Sequence, residues 1–323
     1  MRAIVSSAEG PVFNNDFEDP IAGPGQVLVK VKAAALNRAD LAMLTGGAHG
    51  FAGGLGVPLG LEWAGEVIAL GEGVEHLKVG DRVMGAGPGA FTERVVANAK
   101  WVYPVPDGLA IEQAAALPVS LQTMHDAIAS NGRLEAGQAV LIQGASSGMG
   151  LMGLQIARLL GAGKVIGTST SAERRAQLTD FGADLVVDTR AEDWVKQVLR
   201  ATRMKGVDLA VDLLAGPLVN GTLQATRLGG RLVNVGRMAG ERTDFDLDQH
   251  SMRRITYVGV TFRTRTPAEI TEVIAQASRD LLPALADGRL RMPVDRVYRF
   301  DQVREAFDHI AANRHFGKVV LAW

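Results

Sequence analysis

The rhythm of apolar and polar positions changes near residue 138. Up to about residue 110 the chain is a series of short β-like runs broken by Gly, Pro and Asp: Gln26–Ala34, Trp63–Leu70, Asp81–Met84 and Phe91–Ala97. Many short strands with frequent turns predict a barrel or sandwich. Alternation within Val27–Val31 is only partial, which reads as a strand buried on both faces. From 138 onward, strands alternate with helices. Ala139–Gln143 is an apolar run, Leu151–Leu160 has helical spacing, and Lys164–Thr168 is the next strand, followed by a helix over Ala172–Asp180. Asp184–Val187, Val207–Val211 and Arg231–Val235 continue the series. This alternation predicts a parallel sheet covered on both faces. A helical linker over Ile111–Asn131 joins the halves, and Pro118 within it predicts a kink or a split. The tail returns to mixed character, with helices over Pro267–Ala286 and Asp301–Ala312, an extended Val294–Phe300 and a last strand Lys318–Ala322.

Composition narrows the function classes. The 323 residues contain no Cys, which excludes disulfides, thiolate catalysis and thiolate zinc sites. The six His residues include no helical metal pair. A net charge of −1 argues against nucleic-acid partners, and no apolar run is long enough for a membrane span or signal peptide. A cytoplasmic protein is the expectation.

The most informative segment is Gly144, Ala145, Ser146, Ser147, Gly148, Met149 and Gly150. It follows a predicted strand and opens a predicted helix, the context in which a glycine-rich loop cradles a pyrophosphate. The next strand decides the cofactor. NAD enzymes place an acid at its end to bind the ribose. Here stand Thr168, Ser169, Thr170 and Ser171, with Arg174 and Arg175 after them. With Ser171 as cap, both arginines fall in the first helical turn and oppose the helix dipole unless an anion compensates. A 2′-phosphate is such an anion, so NADPH is expected. Two solvated surface arginines are the alternative.

The run Gly60-Leu61-Glu62-Trp63-Ala64-Gly65, Gly71, Gly73-Val74 and Gly80-Asp81-Arg82-Val83 resembles the signature of medium-chain dehydrogenases/reductases. Ala34–Asn37 with Asp40, Leu121-Gln122-Thr123, Asn234-Val235-Gly236 and Gly317–Leu321 agree with it. Within that superfamily the likeness is to the zinc-independent quinone oxidoreductases. Asn37 and Leu61 stand where zinc-dependent members carry metal ligands, and the structural zinc loop is missing. Glu62 is then structural, and a buried Glu needs backbone amides or an Arg as partners.

The resemblance implies an α/β architecture. A GroES-like β-rich catalytic domain (residues 1–121 and 264–323) would carry an inserted Rossmann domain (122–263), with the nicotinamide between them. It implies cofactor contacts at Asn37, Thr123, Val235, Gly236, Thr261, Phe262, Asn313 and Arg314, with Asn37 the one catalytic candidate and no proton donor nominated. The chain departs from the group at residues 44–57, which are Gly-rich and lack the expected Tyr; His49 and Phe51 are the candidate replacements, and His49 and Asp40 read more simply as a bystander and a turn or cap residue. The expected activity is NADPH-dependent reduction of quinones or α,β-unsaturated carbonyls. An enoyl-thioester reductase, or a low-turnover NADPH-binding sensor or structural protein, is the alternative. Ile255–Phe262 reads as an exposed sheet edge, and the resemblance implies pairing of such edges in a homodimer.

Overall fold

The computed structural model describes residues 1–50 and 52–323. The chain divides into two compact units: Met1–Gln122 with Phe262–Gly288 and Met292–Trp323, and Thr123–Thr261 with Arg289–Arg291.

The first unit opens with a hairpin, β1 (Ala3–Ser7) and β2 (Gly10–Asn14). β3 (Gln26–Ala35), the short helix α1 (Arg38–Met43) and a small hairpin of β4 (Ala48–His49) and β5 (Ala52–Gly53) follow. Then come β6 (Glu62–Leu70), β7 (Arg82–Ala86), β8 (Arg94–Asn98) and β9 (Val102–Pro104). β3 is not buried on both faces. Val27, Val29 and Val31 are buried while Lys30 between them is exposed, because an antiparallel sheet of this kind keeps one face toward water. The linker is split: α2 (Ile111–Ala115) ends before Leu117, and Pro118 starts α3 (Pro118–His125), where its missing N–H costs nothing.

The second unit contains β10 (Ala139–Gln143), α4 (Gly148–Leu159), β11 (Lys164–Thr168), α5 (Ala172–Ala176), β12 (Leu185–Val187) and α6 (Trp194–Ala201). It continues through β13 (Val207–Asp212), α7 (Val219–Ala225), β14 (Thr226–Asn234), α8 (Leu247–Arg253) and β15 (Thr256–Gly259). All six strands are parallel, in the order β12-β11-β10-β13-β14-β15. This is the doubly wound order in which the direction of winding reverses beside the first strand, and ligands bind outside the carboxyl ends of the strands there. The helix expected over Ala172–Asp180 stops at Ala176, and a 3-10 turn, Leu178–Phe181, completes the segment. β15 is the outer strand, with Tyr257 40% exposed, so the expected edge is present.

The chain then returns to the first unit with α9 (Pro267–Ala286), β16 (Val294–Arg299), α10 (Val303–Ala311) and β17 (Lys318–Ala322). β17 lies between β16 and β3, so the last strand is an interior member of the sheet that the first hundred residues begin. Val29, Trp63, Phe91, Phe307 and Leu321 form part of its core. Gly60 lets Phe91 into that core: at φ +91° it has no Cβ, and one would stand 2.4 Å from the Phe91 ring.

Candidate functional site

In the second unit, the loop between β10 and α4 is shaped by its small residues. Gly144 adopts φ +75°, and a Cβ on Gly150 would fall 2.4 Å from Ala145 Cα. Ser147 caps α4, its Oγ accepting from the Gly150 N–H at 3.1 Å. The Ser146, Gly148 and Met149 N–H groups have no hydrogen-bond partner among the described residues. Together with the N-terminus of a twelve-residue helix they supply donors of the kind that bind a phosphate.

A buried chain of hydrogen bonds stands behind the loop. The Gly144 N–H donates to Thr168 Oγ1 (3.0 Å), and the Thr168 hydroxyl to Gln143 Oε1 (2.7 Å). The Gln143 amide donates to Thr222 Oγ1 (3.0 Å), and that hydroxyl to Leu218 O (2.9 Å). This corrects the expectation for Thr168. It is fully buried and fixes the loop from behind, with no surface left to touch a cofactor.

Beyond β11, the Ser169 hydroxyl donates to Ser146 Oγ at 2.9 Å, and Thr170 is exposed. Ser171 caps α5 as expected, but the helix is only five residues long, so Arg174 and Arg175 stand in its last turn and do not oppose its dipole as expected. Arg175 is also tied to its surroundings. It donates to Ser169 O at 2.7 Å and pairs with Asp188 at 3.1 Å. Asp188 also holds Arg190, at 2.9 Å, and Arg190 reaches back to Thr170 O. Hydrogen bonds from the Arg190 side chain and backbone hold the Asp188 carboxyl well below the usual carboxylate range. One carboxylate thus gathers two guanidinium groups beside the hydroxyl run. Sequence reasoning missed Arg190 and Asp188, and the signal was an Asp-Thr-Arg at the end of the third strand.

On the next strands, the Val235 and Gly236 N–H groups both donate to Asp212 O, at 2.9 and 3.1 Å. Gly236 admits no side chain, since a Cβ would meet Leu213 O at 2.4 Å. Thr123 is half-buried on α3, and Thr261 ends the unit.

In the first unit, four polar side chains gather where β3, α1, β6 and β17 meet. Glu62 is fully buried. Its Oε1 accepts from the Lys318 ammonium and, at 2.9 Å, from the Asn37 amide, and its Oε2 from the Val119 N–H at 2.9 Å. A backbone amide is therefore present as expected, but the cation is a Lys delivered by the final strand, not an Arg. Lys318 also donates to Asn37 Oδ1 at 2.6 Å. Asp40 Oδ2 accepts from the Asn37 N–H at 2.6 Å, while Asp40 Oδ1 is buried without a partner. Complete burial raises the Asp40 pKa to about 7, against the pull of the Asn37 N–H and Lys318. Asp40 thus has the helix-turn role read from sequence, together with a proton affinity that sequence did not show.

The other candidates of this unit stand apart from that cluster. Asn313, at φ +52°, accepts from Arg38 Nη2 at 2.8 Å; Arg314 is exposed; and the Phe262 ring lies under the Arg265 guanidinium, 5.3 Å away. Burial and then Arg263 lower the His49 pKa, so it is neutral near pH 7. Phe51 lies outside the described residues. Among the described residues no group of three or more His, Asp or Glu side chains is arranged to hold a metal ion, and no helix is long and apolar enough to cross a membrane.

Comparison with known proteins agrees with both halves of this geometry. The family described as alcohol dehydrogenase GroES-like domain matches residues 23–107, and that described as zinc-binding dehydrogenase matches residues 148–279. A crystal structure of a probable oxidoreductase from Mycobacterium abscessus is 31% identical, with a TM-score of 0.86 over 100% of this chain and 99% of that one. A quinone oxidoreductase from Pseudomonas syringae pv. Tomato DC3000 is 28% identical, with a TM-score of 0.87 over all of both chains. A mycocerosic acid synthase-like polyketide synthase of Mycobacterium tuberculosis is 32% identical over 94% of this chain, which spans only 14% of that protein's length. A glycine-cradled loop on a doubly wound sheet, inserted in sequence between the segments of a β-rich unit, thus has its counterparts along the whole chain: the protein belongs to the medium-chain dehydrogenase/reductase superfamily.

Proposed function

We propose that this oxidoreductase is a zinc-independent, NADPH-dependent reductase acting on quinones or α,β-unsaturated carbonyl compounds. The observation that carries the cofactor choice is the pairing of Arg175 and Arg190 around Asp188, beside Ser169 and Thr170, where β11 ends without an acid of its own. Two cations on one carboxylate leave a net positive charge for a 2′-phosphate, and Arg174 adds a third. The free N–H groups of Ser146, Gly148 and Met149 hold the pyrophosphate. Val235, Gly236, Thr123, Thr261, Phe262, Asn313 and Arg314 complete the contacts. Bound there, the reduced nicotinamide supplies a hydride.

The chain's own part in the chemistry is to orient the acceptor and to stabilise the negative charge that develops on its oxygen. Asn37 is the residue we assign to that charge. A catalytic metal does not fit: residues 37 and 61 are Asn and Leu, there is no Cys, and Glu62 is already neutralised by Lys318. The final proton comes from solvent, since His49 is neutral and Asp40 is sealed. We place the reaction in the cytoplasm and assign the exposed edge of β15 to a homodimer.

The test is a panel of quinones and enones followed at the NADPH absorbance band, beside alcohols with NADP. Reduction of the electrophiles without comparable alcohol oxidation is the expected result. Tight NADPH binding with no turnover of any acceptor would overturn the enzyme reading. Similarity to a stretch of a polyketide synthase favours a second acceptor class, enoyl thioesters. Turnover of a crotonyl thioester well above simple enones would select it.

A further inference from the structure

A buried ion pair needs an explanation beyond stability, because apolar replacements of similar volume are often neutral or stabilising. Glu62 and Lys318 are 0% and 5% exposed, and Asn37, the third member of their cluster, is 8% exposed. The pair does one thing that apolar residues could not. An amide side chain has two faces of nearly equal shape, and only its partners decide which carries oxygen. An ammonium only donates and an ionised carboxylate only accepts. With Lys318 on Oδ1 at 2.6 Å and Glu62 on Nδ2 at 2.9 Å, the flipped amide would set N–H against ammonium and oxygen against carboxylate. Asn37 is therefore held in one orientation. Its backbone is held too, by the N–H bond to Asp40. The carbonyl is spent on Lys318 and one N–H on Glu62, which leaves the second amide N–H uncommitted among the described residues.

We propose that Glu62 and Lys318 are positioning residues that lock the Asn37 amide so that its remaining N–H donates to the acceptor's carbonyl oxygen. This rests on the reductase reading above. As negative charge builds on that oxygen during hydride transfer, a donor already fixed in direction stabilises it without reorganising. A neutral environment of the same shape would let the amide rotate and present oxygen to oxygen.

The decisive variant is the double change Glu62→Gln with Lys318→Met, which removes both charges and keeps volume. It leaves an amide able to accept from Val119 but also able to donate toward Asn37. The expected result is a melting temperature and NADPH affinity close to the wild type, with kcat for the acceptor down by about tenfold or more. Asn37→Ala should lose a similar factor, and combining all three changes should lose little more, because the residues act as a unit. Should the double variant fail to fold, Asn37→Ala alone keeps the test decisive. Wild-type kcat in the double variant, or in Asn37→Ala, would overturn the proposal. A second measurement separates its failure from failure of the reductase reading. The Asn37 side-chain amide, assigned in the 15N–1H spectrum by its loss in Asn37→Ala, should exchange with solvent about tenfold faster or more in the double variant. Unchanged exchange would show that the pair does not lock the amide. If exchange rises but the wild type reduces no acceptor, the reductase reading has failed, and the donor role falls with it.

Discussion

Asp40→Asn isolates the proton that burial forces on the first unit. Asp40 is fully buried, with one oxygen on the Asn37 N–H and the other on nothing. Its carboxyl titrates at about 7 in the fold and near 3.8 in the unfolded chain, so the folded state binds the proton more tightly. Stability from this group is complete below pH 3.8 and declines as pH rises to about 7, by on the order of 4 kcal/mol in all. About 2 kcal/mol of that falls between pH 5 and pH 7. Asn is shaped like the protonated acid and does not titrate. Urea unfolding of both proteins at pH 5, 6, 7 and 8, followed by tryptophan fluorescence, gives the difference profile in which all other groups cancel. Three of the four tryptophans, Trp63, Trp101 and Trp323, lie in the first unit and report on it. The variant is expected to gain on the wild type by roughly 3 kcal/mol between pH 5 and pH 8, with the change centred below pH 7. Parallel stability profiles would refute the reasoning, because Asp40 would then have the same proton affinity folded and unfolded.

Charge-assisted bonds to phosphate suggest an NADPH preference of one to three orders of magnitude, of which Arg174→Ala with Arg175→Ala should erase most, roughly 1.5–3 kcal/mol. Arg190→Ala alone should erase a smaller part, and NADH affinity should barely change in either; equal wild-type affinities for the two cofactors would disprove the assignment. Sedimentation at micromolar concentration should show a dimer, and Tyr257→Asp on the edge strand should shift it to monomer; a wild-type monomer would end the edge-pairing reading. Activity should survive a strong chelator, and elemental analysis finding about one zinc per chain with activity lost on its removal would contradict the cysteine-free ligand inventory.

The second unit was largely legible because its signals are local. Five-residue apolar runs such as Ala139–Gln143 and Lys164–Thr168 became strands with those bounds, and Ser171 and Ser147 cap helices a few residues away. The misread parts depend on contacts distant in sequence. The Lys318–Glu62 pair spans 256 residues, and no local pattern marks Lys318 as more than a polar residue at the start of a strand. The hydroxyl run at the end of β11 groups Thr168 with Ser169 and Thr170 as a cofactor contact, but its hydroxyl donates to the buried Gln143. Gln143 at the end of an apolar run was the available clue, since a buried amide there requires partners.

The interior position of β17 has a consequence for how the protein is made. During synthesis from the N-terminus, Glu62 leaves the ribosome long before its counter-ion, and the strand that carries Lys318 must enter between β3 and β16. The intervening unit, by contrast, has all six of its strands within residues 139–259 and can close while the rest is still being translated. A chain arrested before Lys318 therefore carries a finished dinucleotide fold and a first unit whose acidic centre stays hydrated. Limited proteolysis of such nascent chains should find the second unit protected and the first one open, and burial of the first unit's carboxylates should be among the last events of folding.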